Sequence, residues 1–264
     1  MELSVGEYQS LTPLGIRQAI HREYSVPPDR LEETTFNAVD LKPTDTVVDV
    51  GPGTGSFLAR FVAAGHTGTI AALDRSMAAA RVVDAISGPL SLQGDACHLP
   101  FADRTVDVVF ARHMLYHVAD VPKALREFRR VLRHGGRCVC VVNHPEQAPR
   151  LTGLLRRSVR LKGIRPPELP KVDSTNLPAL IEPVFGAVEV THFDGQLVFD
   201  RPEPVIALGT ALLGFYGVAP DSASRADIEA RLDGDVRGWF ARSNRPWCDT
   251  KGFVICVSTR EDVA

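Results

Sequence analysis

Val47-Val48-Asp49-Val50-Gly51-Pro52-Gly53-Thr54-Gly55-Ser56-Phe57 is the stretch around which the chain is organised. It opens as a short β-branched run, which favours a buried strand. It then breaks into three glycines at alternate positions. Beyond them Phe57, Leu58, Phe61 and Val62 recur at helical spacing. A strand, a glycine turn and a helix in that order bring backbone close to a nucleotide-like ligand at the edge of an open parallel sheet.

The chain has 264 residues, 44% hydrophobic and 23% charged, which suits one larger globular domain or a domain with insertions. A formal net charge of −2 gives no overall pull toward nucleic acid or an anionic membrane, so any basic surface must be local. No apolar run reaches the roughly 20 residues that a membrane-spanning helix needs. The start, Met1-Glu2-Leu3-Ser4-Val5-Gly6-Glu7, has neither a basic nor an apolar segment of the secretory kind. Five cysteines occur, with no CxxC pair. The expectation is a cytoplasmic protein with reduced, mostly buried thiols.

Strand and helix patterns alternate through the first half. Residues 1–40 read as two helices separated by Pro27-Pro28. The glycine turn and its helix lead to a second strand, Thr69–Asp74, and an alanine-rich helix over Met77–Ile86. Leu90–Asp95 and Thr105–Ala111 are the third and fourth strands. Asp120 suits the N-cap of a helix running to Arg133 and stopped by Gly135-Gly136, and Cys138–Val142 is the fifth strand. This rhythm predicts a Rossmann-like, doubly wound α/β sheet. Cys138 and Cys140 are expected to point to opposite faces of their strand and to serve as packing groups.

The second half is less regular. An amphipathic basic helix is expected over Arg150–Arg165, and another helix from Asp173 or Ser174 through Val184. A strand is expected over Ala187–Phe193, extending toward Val198. Helices follow over 203–243 and a last strand over Gly252–Ser258. The expected organisation is a single domain, with a helical cap (1–44), a ligand-binding core (45–143) and a helical connection carrying the basic stretch (144–186). The last two strands (187–264) then flank a helical lid insertion at about 203–250.

Three acids give the glycine turn its chemistry. Asp49 lies in the strand before it and is expected to hold its amides. Asp74 ends the next strand, where a carboxylate can accept two hydrogen bonds from ribose hydroxyls. Asp95 ends the third, placed to accept from an adenine amine. Dinucleotide folds carry a glycine where Ser56 stands, and a diphosphate needs the cradle that this glycine permits.

Val48–Gly55, Leu73-Asp74, Gly94-Asp95-Ala96, Leu99-Pro100-Phe101, Val106–Val109 and Glu127–Gly136 resemble the successive motifs of class I S-adenosylmethionine-dependent methyltransferases. His113–Val118 is similar to the motif that follows the fourth strand in the small-molecule subgroup. The resemblance implies a seven-stranded, mostly parallel sheet with an antiparallel last strand. It implies S-adenosylmethionine as cofactor and S-adenosylhomocysteine as product. It places Gly51, Gly53 and Gly55 around the methionine part, Asp74 on the ribose, Arg75 beside the adenine, and Asp95 and Ala96 at the adenine edge. Arg112 and His113 border the sulfonium and the acceptor. Asp49, Pro52 and Thr54 complete the cofactor set. The family often has Glu in place of Asp74 and Cys in place of Pro52.

Methyl transfer mainly needs two atoms held at the right distance and angle, and a base only where the acceptor arrives protonated. His113 and His117 are the candidates, flanking the start of a helix after strand four. Their i, i+4 spacing has no third ligand, so no metal is expected. Tyr8, Tyr24, Phe215, Tyr216, Trp239 and Trp247 are candidate lid residues over a hydrophobic or aromatic small acceptor. The basic stretch suits a solvated helix face, an acidic substrate or partner, or RNA. The expected function is methylation of a small organic molecule, in specialised metabolite biosynthesis, by a monomer or homodimer with no membrane or nucleic-acid partner. The alternatives are a tRNA or protein methyltransferase, or a cofactor-binding cyclase or pseudo-enzyme that does not methylate.

Overall fold

The computed structural model describes residues 12–166, 168 and 170–261. Among them are α1 (Thr12–Tyr24), β1 (Ser25–Val26), α2 (Leu31–Asn37), β2 (Val47–Val50), α3 (Ser56–Ala63), β3 (Ile70–Asp74), α4 (Met77–Asp84) and β4 (Leu90–Gln93). There follow β5 (Val106–Arg112), α5 (Val121–Val131), β6 (Leu132–Asn143), α6 (Pro149–Leu161), α7 (Leu177–Phe185), β7 (Glu189–Phe199), α8 (Pro202–Leu212), α9 (Arg225–Arg242) and β8 (Trp247–Thr259). The sheet order is β1-β7-β8-β6-β5-β2-β3-β4. Strands β4, β3, β2, β5 and β6 are mutually parallel, and β8 runs antiparallel to β6.

The expected architecture holds, with eight strands among the described residues rather than seven. The addition is β1, two residues antiparallel to β7 through Ser25↔Leu197. A two-residue strand running into Pro27 is too short to show a period. β8 begins at Trp247, so the helical insertion ends with α9 at Arg242.

The chain divides into two compact units. One comprises Leu31–His144, Pro170–Phe193 and Phe253–Ala264 and holds the parallel strands. Every residue of β2 is buried, because this central strand is covered on both faces. Helix α3 buries Phe57, Leu58 and Phe61, and the two phenylalanine rings pack edge-to-face with Phe36 and Phe110. Each such ring stabilises the fold by about 1.5–3 kcal/mol through burial.

Helix α5 is capped by Asp120, whose carboxylate accepts from Lys123 N at 2.9 Å. It ends at Val131, not Arg133. The Arg260 guanidinium, 6% exposed, donates to the carbonyls of Arg129, Arg130 and Leu132 at 2.9, 3.0 and 2.6 Å, which satisfies the end of the helix there. Gly135 and Gly136 instead fall at a register shift between β5 and β6. Helix α7 starts at Leu177, later than expected, because Asp173 closes a turn on Thr175 N at 2.8 Å rather than capping the helix.

Cys138 and Cys140 share a face, their sulfurs 3.6 Å apart, as i and i+2 must in a strand. The expectation of opposite faces was wrong. With Cys256 they belong to the apolar core, and burial pushes the Cys256 thiol up to about 12.

The other unit comprises Met1–Arg30, Pro145–Leu169 and Asp194–Gly252. Its core gathers Leu151, Leu155 and Val159 of α6, Val205 and Leu208 of α8, Ile228, Leu232 and Val236 of α9, and Trp247. Helix α6 has no capping side chain of its own. Asp249, 3% exposed, caps it from a distant strand by accepting from Arg150 N at 2.7 Å and Leu151 N at 3.1 Å. Among the described residues no helix is long and apolar enough to cross a membrane.

Candidate functional site

The glycine turn joins β2 to α3 in the first unit. Gly51, Gly53 and Gly55 all take left-handed backbone, φ 74°, 59° and 72°. Such values strain any residue with a Cβ. At Gly51 a Cβ would also lie 2.7 Å from the Met114 Cβ. All three glycine amides are committed within the protein. Gly51 N donates to Leu73 O at 2.8 Å and Gly55 N to Pro52 O at 3.1 Å, while the Gly53 amide bonds the Asp74 carboxylate. These amides are not a phosphate cradle.

Asp74 therefore does the work that the sequence assigned to Asp49. Its carboxylate, at the tip of β3, also accepts from Ser76 N at 2.7 Å. Burial pushes its pKa up, the Ser76 amide opposes this, and the Asp49 charge adds to the rise. Asp49 is wholly buried, and its partner is Arg112, at the end of β5, at 3.1 Å. Its second oxygen, Oδ1, is buried with no hydrogen-bond partner among the described residues. Burial raises the Asp49 pKa, Arg112 draws it back, and Glu32 raises it.

Arg112 departs from expectation too. Its guanidinium lies 3.8 Å over the Phe57 ring and bonds Asp49, so it is clamped beside β2. The pairing follows from the parallel register, in which Asp49 sits beside Phe110. Pro52 is buried and Thr54 half-buried; the Thr54 hydroxyl donates to Ser56 Oγ at 3.3 Å. Ser56 Oγ in turn donates to Glu32 on α2. Sequence reasoning missed Glu32. Its only signal was an acid early in a short helix.

At the next strand tips, Arg75 and Asp95 are exposed and Ala96 is buried. Asp95 Oδ1 accepts from Cys97 N at 2.8 Å. These residues follow β3 and β4, adjacent parallel strands, so they share one edge of the sheet with the turn.

His113 follows β5 with φ 51°, and its backbone N donates to Val141 O at 2.8 Å. A left-handed non-glycine residue stores strain of the kind concentrated at functional sites. Its ring stands edge-on to Phe253, centroids 6.5 Å apart, and Phe253 stacks on Phe193 at 4.7 Å. Neither phenylalanine stood out in the sequence. His117 closes a three-residue 3-10 turn, Leu115–His117, and packs edge-on against Tyr116. The helix that the two histidines flank is this 3-10 turn, and α5 begins only at Val121. Among the described residues no three His, Cys, Asp or Glu side chains gather as a metal site.

The aromatic lid candidates belong to the second unit and largely form its core. Tyr8 lies outside the described residues. Trp247 is 1% exposed, with its indole N donating to Asp249 at 2.9 Å, and Tyr216 is 6% exposed. Both belong to the unit's buried core. Tyr24 packs on Phe199 and accepts from Arg201, Phe215 lies under Arg17, and Trp239 packs against Trp247; all three are half-buried. Much of the basic stretch is engaged as well. Arg150 lies over Trp239 and Trp247, Arg156 over Tyr216, and Lys162 pairs with Asp227.

Residues 48–140 match a family model described as a methyltransferase domain. A demethylmenaquinone methyltransferase of Thermobifida fusca is 38% identical over 119 residues, which cover 42% of this chain and 50% of that protein. The methyltransferase GfsG of Streptomyces halstedii is 29% identical over 214 residues, 76% of this chain and 74% of that protein. The chain spans about half the length of the first of these relatives. Among solved structures, the cyclase SpnF aligns with a TM-score of 0.62 at 18% identity, over 99% of this chain and 97% of that one, a likeness of fold.

Proposed function

We propose that this chain, a member of the class I methyltransferase family, transfers a methyl group from S-adenosylmethionine to a small hydrophobic or aromatic acceptor. One observation carries the cofactor assignment. The glycine amides of the turn are engaged within the protein, yet beside it the buried Asp49 Oδ1 has no partner among the described residues. That combination suits a cationic ligand end rather than a diphosphate. Asp49 would hold the positively charged methionine end, Asp74 the ribose hydroxyls, and Asp95 with Ala96 the adenine edge. Arg75 would flank the adenine, and Pro52 and Thr54 would shape the turn.

The cofactor supplies an electrophilic methyl on sulfur. The protein's part is to hold the acceptor in line with it and to exclude water. His113 is the residue we assign to the acceptor, as a positioning group and as base where a proton must leave. Its strained backbone and the stacked Phe193 and Phe253 beside it support this. The same rings favour an apolar or aromatic acceptor. His117, packed on Tyr116, we assign a supporting role. Relatives named for quinone methylation and a Streptomyces methyltransferase make small biosynthetic intermediates the first acceptors to try. We place the reaction in the cytoplasm and assign it no metal.

Calorimetry on wild type and Asp74→Asn tests the cofactor assignment. The variant should bind S-adenosylmethionine about ten- to a hundredfold more weakly, since one hydrogen bond to a charged group contributes about 1.5–3 kcal/mol. Equal affinity would remove Asp74 from the ribose. Transfer of a labelled methyl group to a panel of quinols and phenols tests the acceptor class. A product formed equally well with S-adenosylhomocysteine in place of the methyl donor would identify a cyclase instead.

A further inference from the structure

Helix α3 offers an N-terminus of the kind that attracts anions, since its first amides carry a partial positive charge. Here a protein carboxylate is tethered to the first residue of the helix. Ser56 is the first residue of α3, and its hydroxyl donates to Glu32 Oε1 on α2. Thr54 Oγ1, one step back in the turn, donates to the same Ser56 oxygen at 3.3 Å. Glu32 is half-buried and close enough to Asp49 to act on its charge. Asp49 itself has one oxygen on Arg112 and one, fully buried, with no partner among the described residues. Asp49 thus shares Arg112, while Glu32 is held at the turn by a hydroxyl.

We propose that Glu32, held by Ser56, is the charge-selecting residue of this site: it makes the turn prefer the cationic methyl donor over its neutral product. This rests on the cofactor assignment above. S-adenosylmethionine and S-adenosylhomocysteine differ by one methyl group and by the positive charge on sulfur. Groups that bind ribose and adenine contribute equally to both. A fixed carboxylate near the methionine end contributes to the difference, and so speeds exchange of product for fresh donor. The position of Ser56 gains a role by the same reasoning. A glycine there would open the turn to a diphosphate, whereas serine anchors an acid that repels one.

The test is calorimetry on the full chain, as wild type, Glu32→Gln and Ser56→Ala. The probes are S-adenosylmethionine, S-adenosylhomocysteine and sinefungin, which carries an ammonium near the sulfonium position. Glu32→Gln should weaken S-adenosylmethionine and sinefungin about five- to tenfold, as one charge several ångströms away does at an effective dielectric near 20–40. S-adenosylhomocysteine should change less than twofold. Ser56→Ala, which frees the carboxylate, should shift the ratio in the same direction by less. A ratio of affinities unchanged in Glu32→Gln overturns the proposal while leaving the cofactor assignment standing. Failure of the wild type to bind any of the three overturns both.

Discussion

Replacing Arg112 by Met puts the central electrostatic contact to the test. Asp49 is wholly buried, and among the described residues Arg112 supplies its hydrogen bond, at 3.1 Å. Removing one partner of a buried ion pair costs about 3–5 kcal/mol, because the remaining charge is stranded. Loss of the guanidinium from the Phe57 face, 3.8 Å away, adds about 0.5–2 kcal/mol. The cost should depend on pH in a definite direction. Burial already raises the Asp49 pKa, and Arg112 opposes that rise. A carboxyl whose folded pKa is raised favours the native state when protonated. That stability is fully present below the ordinary carboxylate value and is lost as pH rises through the folded value. Without Arg112 the folded value climbs further, so protonation relieves the variant at higher pH than the wild type. Urea unfolding at pH 7.5 and 5.5 should therefore show a large deficit at the first pH and a smaller one at the second. Asp49→Asn combined with Arg112→Met should recover part of the loss, because the stranded charge is gone. A deficit below about 1 kcal/mol at pH 7.5, or one that does not shrink on acidification, would refute the pairing.

Two further outcomes follow from particular contacts. Asp249→Ala leaves Arg150 N, Leu151 N and the Trp247 indole N–H without their acceptor. It should destabilise the protein by about 3–4 kcal/mol, combining a lost cap with an unsatisfied buried donor; a melting temperature equal to wild type would show that α6 needs no distant cap. His113→Ala should lower methyl transfer to an acceptor at least tenfold while S-adenosylmethionine affinity, by calorimetry, stays within about twofold; unchanged turnover would exclude His113 from the chemistry.

Local patterns were good guides wherever one segment decides its own structure. The run Val47–Val50, the glycines after it and the helical spacing of Phe57, Leu58 and Phe61 form β2, the turn and α3 as read. Asp120 caps α5 as its position suggests. The expectations failed where a distant residue intervenes. Arg260 ends α5 early, and Ser25-Val26 is a strand only because Leu197 and Gln196 lie beside it. Trp247 and Tyr216 look like surface-binding aromatics in sequence, but large rings are equally suited to a core, and theirs is a core.

The sequence by itself determined the parallel sheet, the place of the glycine turn and the acids at the strand tips, because periodicity and turn chemistry act over a few residues. Tertiary structure alone decided what those acids do. Asp49 and Arg112 lie on strands that meet only by sheet pairing, and that pairing diverts Asp49 from the turn amides to a guanidinium. Asp74 takes the Gly53 amide instead, and Glu32 reaches the turn through Ser56. A carboxylate's partner is whichever donor is nearest when water is excluded, and that distance exists only once the strands and helices have packed.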